Sequence, residues 1–388
     1  MDFEDILQTK ISPPTLSDRL LTRKRVEDQL LESLHFRLTT LQASAGCGKS
    51  TVLTSLAQNQ AGKIPVIWYQ LSSEDSNLPS FLRYLLYATR RIFPDLLNIP
   101  LQLMEGWEPT LGPLPAQKII DQYINVLSEL DQPVLIIMDD IHHGLENDQV
   151  ALLLDRLISL VPFQIHILLS SRLPIKLPNL FRWQSRGEVL NFDQSLLAFT
   201  QQEIHILFHE EYGYELTRPE EELLHQESEG WALALQVIWQ SLRSGVVPSV
   251  EAALSYQAST MDNLFTILIH EVLEKQPEDI QDFLSASAVL QVMTAEACDA
   301  IQKINNSQVM LDYIIRQDLF VVMVGENSLR YQHIFHQLLR QQMDDEHRLL
   351  WHRRAAEYFT DQGNCESAIY HAFRAEMYHR AAQLLSEY

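Results

Sequence analysis

The sequence predicts an α/β domain, a parallel sheet with helices on both faces, followed by an all-α helical domain, a winged-helix domain and the start of a helical-repeat arm. Three observations carry this. Short apolar runs alternate with amphipathic stretches from about residue 36 to about residue 200 and then cease. Beyond that point helical patterns dominate, broken once by a hairpin signal. From His347 onward, Ala355, Ala356, Ala368, Ala372, Ala381 and Ala382 recur on amphipathic stretches, a spacing that permits close helix packing in a repeat array.

Taken in order, Phe36-Arg-Leu-Thr-Thr-Leu-Gln42 reads as a strand and Lys49–Gln58 as a helix with Val52, Leu53, Leu56 and Ala57 on one face. Ile64–Leu71 is a second strand, with a helix around Leu78–Ile92 after it. Pro133-Val-Leu-Ile-Ile-Met-Asp-Asp140 is apolar until its last two residues, as in a strand covered on both faces. Ile165–Ser171 repeats that form, and Glu188–Phe192 reads as a fifth strand. Gly106–Pro115, rich in glycine and proline, reads as an exposed loop. Thr200-Gln-Gln-Glu203 matches a helix capping box. Leu319–Val324 and Leu329–Gln332 flank the turn Gly325-Glu-Asn-Ser328, and helices on either side make the hairpin part of a winged-helix unit. The expected domains are 1–205, 206–263, 264–345 and 346–388.

With 46% hydrophobic residues the 388-residue chain can build sizeable cores, and its length suits several domains. The formal net charge of −22, from 29 basic against 51 acidic residues, argues against wholesale nucleic-acid binding. Cys47, Cys298 and Cys365 are odd in number and far apart, which supports neither a disulfide framework nor a zinc site and fits a reducing cytoplasm. The acidic start and the shortness of the apolar runs predict neither a secretory leader nor a membrane-spanning helix.

Chemistry concentrates in three places. Ala43-Ser-Ala-Gly-Cys-Gly-Lys-Ser50 falls between a strand and a helix and is read as a P-loop, so the first domain is a P-loop NTPase domain. Backbone N–H groups of Ala45, Gly46, Cys47, Gly48, Lys49, Ser50 and Thr51 would surround the phosphates of ATP or ADP. Lys49, expected to lie exposed within the loop, would reach the β- and γ-phosphates, and the Ser50 hydroxyl would ligate Mg²⁺. Ala43 stands where the usual pattern has its first glycine, and Cys47 is read as a loop filler. Asp139 and Asp140 end a buried strand, where open α/β sheets hold ligands. Asp139 would hold Mg²⁺ through water and Asp140 orient or deprotonate the attacking water. Arg172, after the next strand, would sense or stabilise the γ-phosphate. His142 and His143 have no partner at metal-ligand spacing and are read as structural.

On these residues and on several further blocks the chain resembles the maltose-activator type of STAND ATPase, the large ATP-binding LuxR-type regulators. The blocks are Ile11-Ser-Pro-Pro14 with Leu20-Leu-Thr-Arg-Lys-Arg25, Trp68–Tyr84, Asp139-Asp-Ile-His142, Leu169-Ser-Ser-Arg172, Leu197-Ala-Phe-Thr200 and His352–Phe359. Gly230-Trp-Ala-Leu-Ala-Leu-Gln236 resembles the Gly-Leu-Pro-Leu-Ala-Leu block of NB-ARC domains, with Ala232 in the place of an adenine-contacting proline. The resemblance implies that Leu21, Thr22 and Arg23 lie at the adenine-side entrance. It also implies that Gln332 or His333 takes the part of the winged-helix histidine that touches the ADP β-phosphate.

The resemblance further implies a switch with slow ATPase activity: ADP holds a closed monomer, ATP with an inducer opens it for self-association, and hydrolysis resets it. Inducers would be sensed by helical repeats, and DNA would be bound by a C-terminal domain that this chain is expected to lack. The expected partners are therefore a nucleotide, further copies of the chain and an unknown inducer, with neither specific DNA binding nor a membrane. Two alternatives stay open at this stage, a P-loop kinase acting on a small acceptor and a stand-alone interaction protein in which nucleotide is structural.

Overall fold

The computed structural model describes residues 6–16, 21–105, 107, 114–243, 245, 247–254, 273–317, 319–325 and 327–387. Their contacts divide into two compact units, one made of Met1–Ala198 with His209–Gly213 and the other of Phe199–Phe208 with Tyr214–Tyr388.

The first unit is built on five parallel strands, β1 (Leu38–Gln42), β2 (Val66–Gln70), β3 (Val134–Asp139), β4 (Ile165–Ser171) and β5 (Val189–Phe192), in the order β2-β3-β4-β1-β5. From β1 the chain crosses to the far edge at β2 and returns through β3 to β4 beside β1, while β5 takes the other side. The carboxyl ends of β1, β4 and β3 are thus consecutive, at the kind of switch point where such sheets hold ligands. All of β3 and β4 is buried, which explains their near-continuous apolar runs.

Helices α1 (Lys24–Leu31), α2 (Lys49–Gln60), α3 (Leu78–Ile92), α4 (Asn98–Glu105), α5 (Leu114–Ser128), α6 (His142–Leu145), α7 (Asp148–Leu160), α8 (Leu180–Ser185) and α9 (Gln194–Leu197) complete the unit. One core joins sheet and helices, with Phe81, Leu85, Tyr123, Ile136, Leu154 and Ile167 in it. Each such side chain contributes about 1.5–3 kcal/mol by burial. The loop expected over Gly106–Pro115 lies outside the described residues at 106 and 108–113. Its last two residues correct that expectation, because Leu114 and Pro115 open α5. A proline in the first turn lacks only an N–H that has no intrahelical partner there. At the amino end, Ile11 is buried and Lys10 pairs with buried Asp75 at 2.6 Å while lying over the Tyr84 ring.

The second unit begins at Thr200, whose side chain and that of Glu203 form the expected reciprocal cap on α10 (Gln201–Ile206). Helices α11 (Arg218–Ser228), α12 (Ala232–Arg243) and α13 (Val250–Leu254) follow. The expected domain boundary between residues 263 and 264 falls outside the described residues. Next come α14 (Glu278–Ser287), α15 (Ala295–Gln302), α16 (Ser307–Arg316), the antiparallel hairpin β6 (Val321–Gly325) and β7 (Ser328–Tyr331), and α17 (His333–Gln342). This helix–hairpin–helix order is the winged-helix arrangement the sequence predicts. Phe320 packs between Trp231 and Phe335, and the buried Tyr331 hydroxyl meets Ser287 at 2.7 Å.

Three last helices, α18 (Asp345–Asp361), α19 (Cys365–Arg374) and α20 (Tyr378–Glu387), close around Ala356, Ala368, Ala372, Ala381 and Leu384. Arg354 ties α18 to α15 through the Ile301 carbonyl at 2.7 Å.

Candidate functional site

The loop after β1 owes its shape to two glycines. Gly46 and Gly48 have φ of 72° and 88°, a region that costs other residues a Cβ clash. Gly48 caps α2, which begins at Lys49, so the first-turn N–H groups of Lys49, Ser50 and Thr51 have no intrahelical carbonyl to donate to. Ala45, Gly46 and Cys47 form the turn before them. The Ala43 N–H donates to the Ser171 carbonyl at 3.1 Å, which stitches the loop to β4.

Lys49 corrects an expectation. It is not exposed but only 6% accessible, and its ammonium turns into the loop to donate to the carbonyls of Ala43 at 2.5 Å and Ser44 at 2.9 Å. Those carbonyls face the loop interior and need a donor, which the long side chain supplies. Burial lowers the Lys49 pKa, opposed chiefly by the negative charge of Asp140.

Asp139 is fully buried at the end of β3 and accepts a hydrogen bond from the Ser170 hydroxyl of β4. Burial raises its pKa, as does the charge of Asp140, while the hydroxyls of Ser170 and Ser50 and the Lys49 cation oppose that rise. Asp140 turns the chain out of the strand with φ of 55°, a left-handed conformation that aspartate tolerates better than most residues. Its N–H donates to the same Ser170 hydroxyl at 3.0 Å. Its Oδ1 lies 3.9 Å from Arg172 Nε and 3.8 Å from His142 Nδ1. Burial, then the neighbouring His143, lowers the pKa of His142 to about 4. The His142 ring lies against that of His143 with centroids 4.2 Å apart.

Lys49, Ser50, Asp139, Asp140 and Arg172, which the sequence scatters over more than a hundred residues, are therefore within electrostatic reach of one another. The structure sets two further residues beside the acids. Ser170 carried no signal beyond its place one residue before Ser171, and only the β3–β4 register, Met138 opposite Leu169, sets it beside Asp139. His142, read as structural, stands beside Asp140.

Helices α1 and α9 border the loop and α2. Glu27 of α1 accepts hydrogen bonds from Ser55 and Asn59 of α2, and Ser44 meets Gln194 of α9 at 3.1 Å. Arg23 is buried, with its guanidinium given to the carbonyls of Leu197 and Ala198 at 2.6 and 2.9 Å. Leu21 is half-buried and Thr22 exposed. His333 belongs to the second unit, at the first residue of α17, with Nδ1 3.7 Å from Glu227 and its N–H 3.4 Å from Glu229. Gln332 caps that helix.

The donors fit a hard divalent cation. One buried oxygen of Asp139 has no hydrogen-bond partner among the described residues, and Ser50 lies close to that carboxylate. Clusters of three or more histidine, cysteine or acidic side chains are absent among the described residues. The Asp139 carboxylate and the Ser50 hydroxyl are hard oxygen donors of the kind Mg²⁺ takes, one or two from protein with waters and phosphates completing its shell.

A family model for the MalT winged-helix domain matches residues 269–351, and one for the nephrocystin 3 N-terminal region matches residues 17–172. The chain is 28% identical over 385 residues to the HTH-type transcriptional regulator MalT of Serratia proteamaculans, covering 95% of this chain and 40% of that protein. It is 25% identical to the serine/threonine-protein kinase PknK of Mycobacterium tuberculosis, covering 98% of this chain and 34% of that protein. A Walker-type ATPase of Pyrococcus abyssi shares its fold at a TM-score of 0.54 and 16% identity, over 84% of this chain and 98% of that one. The chain is thus MalT-like along nearly its whole length while spanning well under half of either relative. Among the described residues, no helix is long and apolar enough to cross a membrane.

Proposed function

From a MalT-like STAND ATPase fold as premise, we propose that the chain is an ATP/ADP-binding switch with slow ATP hydrolysis, the nucleotide-controlled module of a transcription regulator. The observation that carries this is the convergence of Lys49, Ser50, Asp139, Asp140 and Arg172 at the carboxyl ends of β1, β3 and β4. Backbone N–H groups of residues 45–51 hold the phosphates at the α2 N-terminus, and the Lys49 ammonium exchanges a loop carbonyl for the β- and γ-phosphates. Ser50 and Asp139, the latter through water, would hold Mg²⁺, which would neutralise charge on those phosphates. Asp140 orients the attacking water and accepts its proton, and Arg172 stabilises the charge that develops on the γ-phosphate. Leu21 and Thr22 border the base, while Arg23 holds their segment in place through Leu197 and Ala198. Self-association when ATP is bound, and response to an inducer, belong to the same proposal.

The test is mass spectrometry of nucleotide released from the purified chain, followed by turnover with many equivalents of ATP. Bound ADP and slow multiple turnover are expected. Bound nucleotide without turnover would favour a structural role for it. Phosphate transfer to an added small acceptor in preference to water would favour a kinase.

A further inference from the structure

An apolar groove on the first unit lies beside an aromatic ring that stands in solvent. The groove, of about 700 Å³, opens between α7 and the segment that leads from β4 into α8, with Leu152, Ile175, Leu177 and Phe181 in its lining. Ile175 and Leu177 are buried, while Leu152 is 59% exposed and Phe181, in the first turn of α8, is 82% exposed. A phenylalanine kept out of the core forgoes burial of about 150–250 Å². Adjoining apolar side chains left exposed in this way mark association sites.

The groove is formed in advance of any occupant. Asp155 of α7 accepts from the Asn179 N–H and side-chain amide at 2.8 and 2.7 Å, and the Ser171 hydroxyl oxygen accepts the Leu173 N–H at 3.0 Å. Pro174 and Pro178 stiffen the chain between those ties. Two residues beyond Phe181, Trp183 is buried in the core and holds α8 against the unit. Little ordering is therefore needed when the groove is filled.

The same patch carries a projecting ring, a hollow beside it and one charge of each sign. Asp148, at the start of α7, and Lys176 both line the groove and both are exposed. A surface that holds both halves of a contact is complementary to itself, as a two-fold interface requires. We propose that two copies of this chain associate through this face about a two-fold axis, Phe181 of each entering the groove of the other and Lys176 of each meeting the other's Asp148. The inference rests on the self-association in the reading above and names the surface that serves it. The loop links that surface to the nucleotide, because Arg172, which faces the γ-phosphate in that reading, lies three residues before Ile175 of the groove floor.

The experiment is sedimentation velocity on the full chain over a range of concentrations, with ADP and with a non-hydrolysable ATP analogue, beside ATP affinity and thermal melting. Wild type is expected to form a concentration-dependent dimer with the analogue. Phe181→Ala is expected to lower the association constant on the order of 30-fold, the loss of a central aromatic anchor. Its melting and ATP affinity should stay unchanged, because the ring is already in solvent in the single chain. Lys176→Glu and Asp148→Lys each set like charges against one another across the axis and are expected to be monomeric alone. An equimolar mixture of those two variants is expected to dimerise, since both contacts then join opposite charges. Wild-type association that Phe181→Ala leaves unchanged overturns the inference and assigns self-association to another face. A mixture that stays monomeric while wild type dimerises overturns the two-fold pairing. A wild type that is monomeric with either nucleotide at every concentration removes self-association and the inference together.

Discussion

The Ser170 hydroxyl donates to the Asp139 carboxylate and accepts from the Asp140 N–H at 3.0 Å, so one side chain of β4 fixes both acids of β3. Ser170→Ala removes both bonds inside a fully buried site. Urea unfolding should show a loss of about 1–3 kcal/mol. Without the hydroxyl, Asp139 is harder to ionise, so the Mg²⁺ dependence of nucleotide binding should weaken as well. Unchanged stability would mean that Ser170 is replaceable by water.

Lys49→Ala should weaken nucleotide binding strongly. Charge-assisted hydrogen bonds to phosphate contribute about 1.5–3 kcal/mol, or roughly a 10- to 150-fold loss in affinity. Because the ammonium bonds Ala43 and Ser44, the substitution should also loosen the loop and lower the melting temperature slightly. Calorimetry that returned wild-type constants for ATP would sink the P-loop assignment.

The legibility of these residues differs for physical reasons. Periodicity and local chemistry are sequence properties, so α3 was read to its ends at Leu78–Ile92 and the cap of Thr200 on Glu203 to the residue. The P-loop and Asp139-Asp140 were legible because each is a contiguous signature. The places of Ser170 and His142 beside those acids were not, since they depend on strand order and on the left-handed turn at Asp140, neither of which leaves a local pattern. Lys49 was placed in solvent because the carbonyls of Ala43 and Ser44 that draw it inward are invisible in a list of side chains.

Asp140→Asn should retain ATP binding and slow hydrolysis by roughly a hundredfold or more. Asparagine also tolerates the left-handed φ of 55°, so the change removes the charge and spares the turn. Unchanged turnover under saturating ATP would transfer the base role elsewhere.

Acid should destabilise the chain between about pH 6.5 and pH 4. His352 titrates at about 3 and His371, His336 and His142 at about 4 in the fold, all chiefly through burial, against an ordinary value of 6.5. The unfolded chain therefore binds more protons across that window, and stability is fully present above it and falls as the pH drops through it. His352 and His371 share a buried Nδ1–Nδ1 contact of 2.8 Å, near Arg340. Replacing both by phenylalanine should flatten the pH dependence of urea unfolding, and an equally steep profile in that variant would assign the effect to other groups.

The winged-helix unit should not bind DNA specifically. A reader needs basic and amide side chains on an exposed helix, backed by phosphate contacts. Here α16 carries Arg316 as its one basic residue, and its Nε turns back to the Asp312 carbonyl at 3.1 Å. Arg330 of the hairpin is held by both oxygens of Glu229 at 2.8 and 3.3 Å. Strand β6 presents Met323 and Val324 to solvent, 53% and 48% exposed, where a wing would want lysine or arginine. The net charge of −22 also removes long-range attraction to phosphate. Anisotropy titrations with a panel of duplexes at low and physiological salt, with ADP and with a non-hydrolysable ATP analogue, should show at most weak binding that salt abolishes. Submicromolar, sequence-dependent binding at physiological salt would instead make this unit a DNA reader and require Arg316 or Arg330 to leave its present partner.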